Sequence, residues 1–108
     1  MGSYQAVCLL AVVFVPLAAQ EFRSTITGSI TDPQGLGVPD AKITLRNLDN
    51  GALSETKSVG LGQYVIPLLP PGEYSLQVEA KGLRSYVRPR VRVQTSERLQ
   101  LDIRLEVG

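Results

Sequence analysis

From Arg23 onward apolar and polar residues alternate, and Gly, Pro, Asn and Asp interrupt the alternation at short intervals. A period of two marks strands with one buried face, and regular interruption by turn residues predicts an all-β sandwich or barrel. Ser24 to Thr31 places Ile26, Gly28 and Ile30 on one face and hydroxyl side chains on the other. Asp32 to Asp40 holds Pro33, Gly35, Gly37 and Pro39, which cannot share a strand interior, so it reads as a loop. Ala41, Ile43 and Leu45 alternate with Lys42, Thr44 and Arg46. Asn50-Gly51 then predicts a hairpin turn, with Leu53 to Ser58 returning antiparallel.

Tyr64 to Leu68 is apolar on both faces and predicts a central strand, with Pro67 marking a bulge or an early end. Pro70, Pro71 and Gly72 turn a corner, after which Tyr74, Leu76, Val78 and Ala80 share one face. Lys81-Gly82 turns again, into a strand from Arg84 to Val93. From Arg98 to Glu106, Leu99, Leu101, Ile103, Leu105 and Val107 take one parity and charged or amide residues the other. That makes about seven strands, the number of a two-sheet antiparallel, Greek-key sandwich.

The segment before this region has a different character. Ala6 to Ala19 is an almost unbroken apolar run, and every charged side chain of the chain follows it. At about 14 residues it is too short for a bilayer, which needs about 20, and suits the apolar region of a secretory signal peptide. Cleavage after Ala19 or Gln20 divides the chain into a signal peptide, residues 1–20, and a domain, residues 21–108. Export to the periplasm or outer membrane is the expectation. The n-region, Met1 to Gln5, has no Lys or Arg, and a buried apolar helix is the competing reading. Cys8, the one cysteine, lies inside the run, which does not fit a lipidated cysteine and leaves the processed chain without a disulfide.

A net charge of +1 gives no reason to expect nucleic acid as a partner. The chain has no histidine, so the usual general base and the commonest zinc ligand are missing together. Serine-histidine and cysteine-histidine catalysis are excluded, and neither a cofactor nor a metal site is expected. The remaining carboxylates alternate with Arg and Lys along strand faces, and no enzymatic activity is expected. Asp32, Asp40, Asp49 and Asn50 match no calcium loop and read as turn formers.

Arg84, Arg88, Arg90 and Arg92 form the one local charge bias, the last three at the spacing of a single strand face. Tyr86, Arg88, Arg90 and Arg92 are therefore a candidate binding surface for an anionic sugar or lipid. The other reading is a solvated edge strand, with arginines and Pro89 guarding against edge-to-edge pairing. Tyr64, Tyr74 and Tyr86 can stack on a sugar ring or pack as core residues with one wet end.

Gly62-Gln63-Tyr64, Leu69-Pro70-Pro71-Gly72-Glu73-Tyr74-Ser75-Leu76-Gln77-Val78 and Gly82 occur in an order that resembles the carboxypeptidase regulatory-like domain. Gly28 to Gly35 and Val38 to Ile43 extend the resemblance over nearly the whole of residues 21–108. The pattern departs at Leu83, where an aromatic residue is frequent, and at Val59-Gly60-Leu61, where an acidic one is. The resemblance implies a seven-stranded transthyretin-like sandwich without catalytic activity. It further implies a place at the N-terminus of an Oar-like TonB-dependent receptor, with other receptor domains as partners. Carbohydrate binding, or an accessory role beside a zinc carboxypeptidase domain, are the alternatives it leaves open.

Overall fold

The computed structural model describes residues 23–108; the expected signal peptide lies outside the described residues. Eight strands appear in the order β1 (Ser24–Thr31), β2 (Lys42–Asn47), β3 (Leu53–Lys57), β4 (Gln63–Leu69), β5 (Gly72–Glu79), β6 (Tyr86–Val93), β7 (Arg98–Gln100) and β8 (Ile103–Arg104). They form two sheets. One has the order β4-β1-β7, with β8 also pairing β1, and the other has the order β3-β2-β5-β6.

The alternation predicted from sequence is the alternation that is buried. Ile26, Ile30, Ile43, Leu45, Leu76 and Val78 are fully buried between the sheets, joined by Tyr64, Ile66, Tyr74, Val91, Val93, Ile103 and Leu105. Removing this much apolar surface from water is the main stabilising term, at roughly 25 cal/mol per Å². Val107, which shares the parity of the last run, lies past β8, bridges only Leu83 among the described residues and is 63% exposed.

Two of the four expected turn formers, Asp32 and Asn50, hold their turns by side-chain hydrogen bonds. Asp32 Oδ1 accepts from Gln34 N and Leu36 N, each at 2.9 Å, and Asn50 Oδ1 accepts from Ala52 N at 2.8 Å. Asn47 adds a second device at the same hairpin, its Oδ1 accepting from the amides of Asp49 and Asn50. The connection is longer than a two-residue turn, and only Gly51 of the Asn-Gly pair has positive φ, at 76°. The corner at Pro70-Pro71-Gly72 is closed by Tyr74, whose hydroxyl donates to the Pro70 carbonyl at 2.5 Å.

Two expectations need correction. β4 is not a central strand: it pairs β1 alone, and Val65 and Leu68 are about half and two-thirds exposed. Its second apolar face, with Val65 and Leu68, lies in water rather than in a core. Pro67 suits an edge strand, and the register does slip beside it, from Ser24 opposite Leu69 to Ile26 opposite Ile66, with Leu68 at φ 63°.

The last run is not antiparallel to its neighbour. β7 and β8 both run parallel to β1, through Ile26 opposite Leu99 and Ile30 opposite Ile103. Side-chain alternation is the same in both pairings, so the pattern carried no direction. The run is also split, which raises the count from seven strands to eight. Between its halves the Ser29 amide donates to Asp102 Oδ1 at 3.0 Å, so a side chain replaces one rung of backbone ladder.

Candidate functional site

The residues expected to form one surface belong to strand β6, the free edge of the second sheet. Beside it the register shifts: Tyr74 is opposite Val91, but Leu76 is opposite Arg88, so Pro89 and Arg90 together oppose Ser75. This bulge turns the strand over. Tyr86, opposite Val78, and Arg88, opposite Leu76, lie on the side that faces the core, whereas Arg90 and Arg92 lie on the outer face. The three arginines therefore do not share a face, and the expected single surface divides into two.

On the inner side, Tyr86 is half-buried against the core and Arg88 remains exposed at its margin. Both lie close enough to Tyr64, in the other sheet, for their charges to act on its titration. The Tyr64 hydroxyl donates to the Leu101 carbonyl at 2.7 Å. Burial is the main cause that raises its pKa above the usual tyrosine range; the charge of Asp102 adds to the effect, Arg88 opposes it and Tyr86 adds a smaller increment. A proline, a bulge and a charge turned inward at a free edge are three of the devices by which sheet edges resist pairing with another chain.

On the outer side, Arg90 Nη1 meets Glu73 Oε1 at 2.9 Å. Arg92 is opposite Glu73 in register. Arg46 of β2 stands on the same outer face, because Leu45 and Asn47 on either side of it are buried. It is opposite Ser75, the residue that faces the bulge. Sequence reasoning placed Arg46 on a wet strand face without linking it to the β6 arginines; its tie to them exists only through the pairing of β2, β5 and β6.

Two surface grooves lie on the sandwich. One lies at the end of the sandwich and is lined by Asp49, Pro71, Gly72, Glu73, Arg92 and Gln94 among others. The other runs over the outer face of the first sheet, with Thr27, Ser29, Gln63, Arg98, Gln100 and Asp102. There Gln100 Nε2 donates to Asp102 Oδ2 at 3.1 Å and the Ser29 hydroxyl donates to Asp102 Oδ1 at 3.3 Å. Both grooves offer amides, hydroxyls and charges suited to hydrogen bonding. Among the described residues, no three acidic, cysteine or histidine side chains converge as a metal would require.

Similarity to known proteins follows the fold. Over 90 residues the chain is 29% identical to the TonB-dependent transporter Oar of Myxococcus xanthus, a match that covers 82% of this chain and 8% of the transporter. The Bacillus anthracis TIE protein superposes with a TM-score of 0.67 at 17% identity, over 80% of this chain and 17% of its own. A candidate carbohydrate-binding protein from Bacteroides uniformis gives a TM-score of 0.63 at 17% identity, over 76% and 40% of the two chains. Catechol 1,2-dioxygenase from Pseudomonas arvilla gives 0.63 at 12% identity, over 82% and 53%. At such identities the three structures share a sandwich and no more. The family assignment comes from sequence instead: residues 25–106, from the second residue of β1 to just past β8, match the carboxypeptidase regulatory-like domain, and the chain belongs to that family.

Proposed function

We propose that this chain is an exported, non-catalytic interaction module that forms the N-terminal extension of an outer-membrane TonB-dependent receptor, or a free-standing relative of one. The observation that carries the reading is the similarity to Oar across four-fifths of this chain, confined to a small fraction of the transporter. A β-sandwich with hydrogen-bonding grooves and no histidine is suited to holding a neighbour or a ligand, and lacks the imidazole that general acid-base catalysis most often uses. The apolar run from Ala6 to Ala19 agrees with export.

The test is to sequence the coding region downstream in the source genome and to fractionate the cell envelope with an antibody to the domain. A plug followed by many amphipathic strands, with the antigen in the outer membrane, is the expected result. An uninterrupted cytoplasmic product with no barrel overturns the proposal. Carbohydrate binding is the second reading, favoured by the shared sandwich of the candidate carbohydrate-binding protein and by the polar grooves.

A further inference from the structure

We infer that the outer face of the β3-β2-β5-β6 sheet is a binding surface for a carboxylated polysaccharide, held by Arg46 and Arg92 on either side of the Arg90–Glu73 pair. The inference goes beyond the receptor reading and does not depend on it. Arg46 on β2 and Arg90 on β6 flank Ser75 on the strand between them, so their backbones are two strand spacings apart, about 10 Å. Arg92 follows two residues after Arg90 on the same strand, about 7 Å further along. The result is a triangle of arginines on an outer face that also carries two exposed apolar side chains, Leu53 opposite Arg46 and Val87 opposite Gln77.

The acidic residues of this face neutralise Arg90 and Lys42 and leave Arg46 and Arg92 uncompensated. Glu73 is taken up by Arg90 and Glu55 by Lys42, at 2.9 and 3.3 Å. Glu79 lies opposite Lys42, and its Oε2 accepts from Gln77 Nε2 at 3.2 Å. Among the described residues, neither Arg46 nor Arg92 has a side-chain partner, and both are exposed. A guanidinium presents a planar fork of donors that matches a carboxylate through two parallel hydrogen bonds. Charges spread over about 10 Å suit an extended polyanion that carries a carboxylate on successive sugars better than a single compact anion. Arg88, on the other side of the bulge, stands outside this surface, although in the sequence it is as close to Arg90 as Arg92 is.

The experiment measures binding of the chain to polygalacturonate and to its neutral methyl ester, at low and at physiological salt. Binding to the acid alone, weakened by salt, is expected. Arg46→Gln and Arg92→Gln each weaken binding about tenfold. Arg88→Gln removes the same charge from the other side of the strand and leaves affinity unchanged. Three results overturn the inference: equal binding to the methyl ester, equal loss in Arg88→Gln, or capture by anionic phospholipid vesicles without capture by polygalacturonate.

Discussion

The Tyr64 hydroxyl reaches the Leu101 carbonyl, at 2.7 Å, by crossing over an entire strand at Gly28. Tyr64 belongs to β4, Leu101 lies beyond β7, and β1 runs between them. A Cβ at residue 28 would fall 1.8 Å from the Leu101 oxygen and 3.0 Å from Tyr64 Cε1. Glycine is therefore required here for close approach, not for backbone freedom. Gly28→Ala is expected to destabilise the domain by about 2 to 3 kcal/mol, because a backbone carbonyl cannot move aside as a side chain can. A lower urea midpoint with an unchanged slope checks this.

Tyr64→Phe removes the donor and leaves the Leu101 carbonyl without it, at an expected cost of about 1 to 2 kcal/mol. It also changes the alkaline behaviour. Burial raises the Tyr64 pKa in the folded state above its ordinary value of 10.0, so between those values the unfolded chain binds fewer protons than the folded one. The stability this contributes is present below about pH 10 and is lost as pH rises toward the folded pKa. Tyr74, also raised by burial, acts in the same direction. Denaturant midpoints measured from pH 8 to 11 are expected to fall above pH 10, and to fall less steeply in Tyr64→Phe.

Ser58 is a buried hydroxyl with two partners. It donates to the Val38 carbonyl at 2.6 Å and accepts from the Ala41 amide at 2.9 Å, tying the end of β3 to the start of β2. Ser58→Ala strips both backbone groups of their partner and is expected to cost about 1 to 3 kcal/mol. Ser58→Thr keeps the hydroxyl, and comparing the melting temperatures of the two variants separates the hydrogen bonds from the packing.

Asp102 substitutes for a rung of the β1 ladder through the Ser29 amide. Asp102→Asn retains an acceptor oxygen and is expected to keep most of the stability, whereas Asp102→Ala loses about 1 kcal/mol. Amide exchange at Ser29, measured by NMR, is expected to accelerate in the alanine variant and to change little in the asparagine one.

The edge devices of β6 predict a difference in association rather than in folding. Replacing Arg88 and Pro89 together by Val removes the inward charge and the missing donor. Light scattering is expected to show concentration-dependent assembly of the double variant, with a melting temperature close to that of the parent at low concentration.

How far the sequence reached can be seen residue by residue. Ile26, Ile30, Ile43, Leu45, Leu76 and Val78 were recognisable as core because burial of every second side chain is a local property of an extended strand. Asp32 and Asn50 were recognisable as turn formers because their hydrogen bonds span only a few residues. Ser24 shows the limit: its hydroxyl donates to the Gln94 carbonyl and accepts from the Glu97 amide, far along the chain, and nothing local marks it.

The same distinction decides the surface. The sequence by itself determined a sandwich of strands, its turns and the absence of imidazole chemistry, since composition and alternation are properties of short stretches. Only the tertiary structure decided that β4 is an edge, that the last run is parallel to β1, and that one bulge sends Arg88 inward while Arg46 joins Arg90 and Arg92. Strand direction and register depend on hydrogen bonds between distant segments, and a one-residue slip reverses every side chain beyond it.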